Sequence, residues 1–184
     1  SESHMQQMSM STFVCAAILL LALVSQSLAS ASINDNNGVA VAAPRVPVAF
    51  QFLQGHNDAH REVGVAPLEW NWTLGQDAKR YAAQLAARCK LEPPKYVPPI
   101  YARNRYWGSG KQDGEAATGS WVYERRWYDH GANACAPGKE CGSYKLVVRN
   151  TTRELGCACR TCRGSNDTVA VCSYSPGGNY DDPP

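Results

Sequence analysis

The chain has almost no charge of one sign to spare. Its 18 Lys and Arg stand against 16 Asp and Glu, a formal net charge of +2 over 184 residues. With no basic cluster interleaved with aromatics, that balance leaves no footprint for a nucleic-acid partner. Long hydrophobic runs are missing as well. The longest, Phe13 to Val24, holds 12 residues, whereas a helix needs roughly 20 apolar residues to span a bilayer. Two further patterns are absent. Strands and helices do not alternate in the way a parallel α/β sheet requires, and no Gly-x-Ser-x-Gly stretch marks a nucleophile elbow.

The short apolar run is instead the core of a signal segment. It ends in Ser25-Gln26-Ser27-Leu28-Ala29-Ser30-Ala31, a small-x-small cleavage pattern, although no Lys or Arg precedes it. Met5, Met8 and Met10 compete as the start, with Ser1 to His4 read as residues added ahead of it. Cleavage after Ala31 leaves 153 residues of net charge +3, one domain able to bury about 70% of its unfolded surface. Seven cysteines remain: Cys89, Cys135, Cys141, Cys157, Cys159, Cys162 and Cys172. A zinc knuckle fits the spacing of Cys157, Cys159 and Cys162 with Cys172, but an oxidising compartment favours disulfides, and the odd count leaves one thiol over. Sequons at Asn71, Asn150 and Asn166 accord with a secretory route.

Residues 32–47 are turn-rich without apolar periodicity and read as a flexible lead-in. Phe50, Leu53, His56, His60 and Val63 then fall at helical spacing until Gly64, which puts both histidines on one face with apolar neighbours, and His60 is taken to face the surface or the cap. Asn71 caps a second helix whose stripe is Leu74, Ala78, Tyr81, Leu85 and Cys89. Prolines 93, 94, 98 and 99 forbid its continuation, so Lys90 to Gly110 reads as a long loop carrying Tyr96, Tyr101, Tyr106 and Trp107. Helical spacing returns over Glu115 to Tyr128, where Glu124 shares a stripe with Ala117, Trp121 and Tyr128 and needs a partner. Tyr144 to Arg149, Leu155 to Cys159 and Val169 to Tyr174 have strand composition, which predicts a small antiparallel sheet in an α+β domain.

Several colinear stretches carry a resemblance. They are His56-Asn57-Asp58-Ala59-His60, Val63-Gly64-Val65-x-Pro67-Leu68-x-Trp70, Trp121-Val122-x-Glu124, Cys141-Gly142-x-Tyr144, Gly156-Cys157-Ala158 and Cys172-x-Tyr174-x-Pro176-x-Gly178-Asn179-Tyr180. Together they resemble the CAP superfamily, and within it the plant pathogenesis-related proteins of group 1. That resemblance implies an α-β-α sandwich around a central antiparallel sheet, pinned by Cys135–Cys141, Cys89–Cys162 and Cys157–Cys172. Cys157 and Cys159 share a strand face, so either can compete for one partner. The implied map is a signal peptide over 1–31, a lead-in over 32–47, a CAP domain over 48–175 and a tail over 176–184. The implied role is a non-enzymatic defence protein in the extracellular apoplast, monomeric, binding a sterol or other lipid through Tyr96, Tyr101, Tyr106 and Trp107. Release of the tail before Pro176, to reach a protein receptor, is a further implication.

The family cavity gathers two histidines and two glutamates and holds a divalent metal. Here His56 and Glu124 match, but Arg103 and Ser143 stand at the other two positions. The resemblance therefore implies a degenerate, metal-free cavity without a cofactor, in which Arg103 pairs with Glu124. The enzymatic alternative takes Ser143, His56 and Glu124 as nucleophile, base and orienting acid.

Overall fold

A computed structural model describes residues 46–91 and 101–178. The first helix, α1 (Val48–Glu62), begins after Pro47, whose carbonyl accepts the Gln51 N–H. Phe52, His56, Ala59 and His60 form its buried stripe. It stops before Gly64, which takes a φ of +73° that a side chain would strain. A short strand, β1 (Glu69–Trp70), leads into α2 (Trp72–Arg88). Asn71 caps α2, its Oδ1 accepting from Thr73 N at 2.8 Å and Leu74 N at 3.1 Å. At its far end Cys89 adopts left-handed geometry and joins Cys162. Closing a loop with a sequence separation of 73 removes unfolded-state entropy equivalent to about 4 kcal/mol.

The next elements are β2 (Ala102–Gly108), α3 (Gly114–Tyr123), a 3-10 turn (Glu124–Trp127), β3 (Tyr128–Asp129) and β4 (Ala134–Cys135). They are followed by α4 (Gly142–Val147), β5 (Glu154–Thr161) and β6 (Thr168–Ser175). The main sheet runs β1-β5-β6-β2, antiparallel except for the parallel β1–β5 pair. Strand alternation sorts two cores. Val169 and Val171 pack with Ala78, Tyr81 and Leu85 of α2, while Ala170, Cys172 and Tyr174 face Phe52, Ala117, Trp121, Tyr144 and Leu146. The result is the expected α-β-α sandwich.

Three readings of local structure are corrected. Tyr144 to Arg149 is not a strand, because most of it lies in α4. Lys145 N bonds to Cys141 O and Val148 N to Tyr144 O, both at 3.0 Å, and an outside carboxylate overrides the β-branched composition, as described below. Residues 102–108 are not loop: β2 pairs with β6 at all seven positions from Ala102↔Tyr174 to Gly108↔Thr168. The helix over 115–128 is divided, because α3 ends at Tyr123 and a 3-10 turn precedes β3. The three implied disulfides form. Register decides between Cys157 and Cys159: the first lies opposite Cys172, the second opposite Ala170, and Cys159 is a free thiol.

Gly156 fixes how closely α2 approaches the sheet. A Cβ there would stand 2.0 Å from Gly75 N and 2.6 Å from Asn71 O, both rigid backbone atoms. Gly156→Ala is therefore expected to cost ~3 kcal/mol or more. Gly119→Ala, whose Cβ meets nothing within 4 Å on α3, should instead stabilise by about 0.5–1 kcal/mol. Urea denaturation of both variants checks the contrast.

Candidate functional site

Glu124 opens the 3-10 turn after α3 and reaches across to the start of α4. Its Oε2 accepts from Ser143 N at 2.9 Å and Tyr144 N at 3.1 Å. These are N–H groups that the first turn of a helix leaves without intrahelical partners. A carboxylate there also faces the positive end of the helix dipole. Glu124 thus finds its partner in backbone rather than in Arg103.

A second chain of bonds runs beside it. His56 is fully buried, and its Nδ1 lies 2.7 Å from Phe52 O. A carbonyl only accepts, so Nδ1 carries the proton and Nε2 is left as an acceptor. Tyr174 fills that role, its hydroxyl donating to Nε2 at 2.8 Å. The same hydroxyl accepts from Asn104 Nδ2 at 3.1 Å, and Nδ2 also donates to Ser143 O at 2.9 Å. The order is Phe52 O, His56, Tyr174, Asn104, Ser143 O. Burial, the largest cause, pulls the His56 pKa down from 6.5 to about 4, which keeps the ring neutral.

Arg103 lies on the other face of β2. Its Nη2 is 2.6 Å from Asp77 Oδ2 on α2 and its Nε is 3.2 Å from the same oxygen, which also accepts from Ser173 Oγ at 2.9 Å. The expected Arg103–Glu124 pair is thereby corrected: alternation along β2 sends Arg103 to α2 and Asn104 into the interior beside Tyr174 and Ser143 O. Sequence reasoning missed Asn104, Tyr174 and Asp77. The signal for the first was that same alternation, hidden while residues 102–108 read as loop. His60 is corrected too. It is fully buried, with Nδ1 at 2.6 Å from Ala66 O and Nε2 at 2.8 Å from Val147 O, and so ties the turn after α1 to the end of α4.

The implied metal does not fit these residues. His56 Nε2 is occupied by Tyr174, and Glu124 Oε2 is taken by two N–H groups. Asn104 Oδ1 is a buried acceptor without a partner, but one oxygen falls short of the three protein ligands a zinc site needs. Among the described residues no three His, Cys, Asp or Glu side chains gather for a metal. The triad geometry is equally missing: Ser143 meets Glu124 through its amide, and the partners of His56 are Phe52 and Tyr174 rather than the Ser143 hydroxyl.

Among the described residues, Tyr101, Tyr106 and Trp107 do not share one loop surface. Tyr96 lies outside the described residues. Tyr101 is half-buried ahead of β2, and within β2 Tyr106 packs against the core while Trp107 is 45% exposed on the opposite face. Asn71 is half-buried at its cap, whereas Asn150 and Asn166 are exposed. At the tail, Ser175 O accepts from Arg153 N and Pro176 O from Thr152 Oγ1. Gly178 lies so close to Arg149 that a Cβ would stand 2.3 Å from Nη1.

Residues 53–174 match the cysteine-rich secretory protein family, CAP. The chain is 41% identical over 130 residues to pathogenesis-related protein PRMS of Zea mays, covering 70% of this chain and 76% of that protein. It is 39% identical over 130 residues to pathogenesis-related protein 1A of Nicotiana tabacum, covering 70% and 75%. Among solved structures it is similar in fold to venom allergen-like protein 4 of Schistosoma mansoni, with a TM-score of 0.60 and 24% identity, covering 76% of this chain and 94% of that one.

Glu124→Ala leaves two helix N–H groups without their acceptor and should cost about 2 kcal/mol, while Glu124→Gln, which keeps an acceptor oxygen, should cost about half that. Chemical denaturation distinguishes the two. Acid should act through His56. Below pH 6.5 the unfolded chain takes up a proton that the folded ring refuses until about pH 4. Stability is therefore full above pH 6.5 and falls by about 3 kcal/mol as pH drops to 4. Urea midpoints between pH 7 and 4 should show that slope, and His56→Gln should lack it.

Proposed function

Because the chain belongs to the CAP family of cysteine-rich secretory proteins and is of the plant pathogenesis-related type, we propose that this defence-related protein acts by binding rather than by catalysis. The observation that carries this reading is the closed chain from Phe52 O through His56, Tyr174 and Asn104 to Ser143 O. General-base work needs a free imidazole nitrogen facing the nucleophile. Here one nitrogen is spent on a backbone carbonyl and the other on a tyrosine.

The ligand in this reading is a sterol or another apolar lipid, the activity that the family resemblance implies. Its support in this chain is Trp107, 45% exposed at the end of β2, a large apolar side chain of the kind that contributes binding energy once covered. The same reading makes the protein extracellular. Three disulfides suit an oxidising compartment. Tail release is less well supported, since the carbonyls of both Ser175 and Pro176 are hydrogen-bonded to the preceding loop.

Titration of the purified protein with a fluorescent sterol should give saturable binding, weakened about tenfold, or ~1.4 kcal/mol, in Trp107→Ala. A titration without saturation would remove the lipid reading.

A further inference from the structure

The stretch Tyr123-Glu124-Arg125-Arg126-Trp127 is too short to register as a basic cluster in the sequence, yet the fold gives it a defined shape. Glu124 is spent on α4. The other side chains, with Gly119 and Val122, line a depression of about 570 Å³. Arg126 Cζ sits 3.4 Å from the centre of the Tyr123 ring and 5.6 Å from that of Trp127, and Lys139 Nζ stands 4.5 Å from the Trp127 ring. At 3.4 Å a planar guanidinium has room only to lie flat on the ring. Its in-plane N–H groups then point outward, where an oxyanion can meet them in pairs.

Charge and rigidity both favour a ligand. Arg125 is paired with Glu62, but Arg126 and Lys139 have no carboxylate partner among the described residues. Their backbones are held: Ala136 N donates to Trp127 O at 2.8 Å and Lys139 N to Ala136 O at 3.0 Å. The Cys135–Cys141 disulfide closes the loop that carries Lys139. Two cations stacked on aromatic rings and fixed from behind lose little freedom when an anion arrives.

We propose that the row Tyr123, Arg126, Trp127 and Lys139 binds an acidic polysaccharide, with carboxylated sugar rings entering the depression. A pyranose ring has flat C–H faces for Val122, Tyr123 and Trp127 and a carboxylate held rigidly on the ring. An acidic peptide carries its carboxylates on flexible stems and pays more entropy to align them. Nucleic acid is less suited, because two free cations neutralise too few phosphates.

The test titrates the whole protein with a hexameric oligogalacturonate at low salt, following tryptophan fluorescence and heat. Saturable binding is expected, and it should weaken with added salt. It should be lost when the carboxylates are reduced to alcohols, and weakened about tenfold or more in the Arg126→Gln/Lys139→Gln double variant. Both substitutions lie at exposed positions, so the melting temperature of the variant should stay at the wild-type value and confirm its fold. Three results would each overturn the proposal: no binding of the hexamer, equal binding by the double variant, or equally tight binding of polyglutamate of matched charge.

Discussion

Two backbone N–H groups meeting one oxygen of Glu124 set the arrangement of the α4 segment and the groups bonded to it. Without that carboxylate, residues 142–147 have weak reasons to coil: the segment is six residues long, and short isolated helices are marginal. Once α4 forms, the Ser143 carbonyl is available to Asn104 and the Val147 carbonyl to His60. A side chain at the end of one helical segment thereby decides the start of another and, through it, one partner of the buried His60. In this chain hydrogen bonds hold those elements together.

These hydrogen bonds have a cost and a compensation. Burying His56 neutral, and Asn104 with an oxygen that has no partner among the described residues, spends polar groups in the interior. On the far face of the sheet, Arg103 gains the Asp77 carboxylate and the Ser173 hydroxyl next to it, an ion pair well screened from solvent that locks α2 to β2 and β6. Removing one partner of such a pair is more damaging than never having had it. Arg103 and Ser143 therefore act on opposite sides of the sheet, the first on α2 and the second on β2 through its carbonyl.

Much of this architecture was legible in the residues. The stripe of α2 and its Asn71 cap, the end of α1 at Gly64 and the final strand with Cys172 and Tyr174 follow from periodicity and turn chemistry. What escaped depended on partners distant in sequence. Val147 and Val148 look like a strand until Glu124, some twenty residues earlier, caps their segment. Tyr106 and Trp107 look like loop aromatics after a run of prolines, until pairing with β6 splits them onto opposite faces. His60 shares the apolar face by spacing yet reads as outward-facing, because its partner Val147 O is 87 residues away in sequence. The tetrad substitutions were visible, but the direction of Arg103 was not, since it depends on which residues of β2 point inward.

Cys159 bears on how the cross-links last. It sits two residues from Cys157 on a partly buried strand, the position from which a thiolate would attack a neighbouring bridge and reshuffle it. Burial, followed by the negative charge of Asp113, pushes its pKa up to about 12. Near neutral pH such a thiol is held in its protonated form. The folded sheet therefore withholds the nucleophile that disulfide exchange requires, and an odd cysteine is carried without eroding the three bridges beside it.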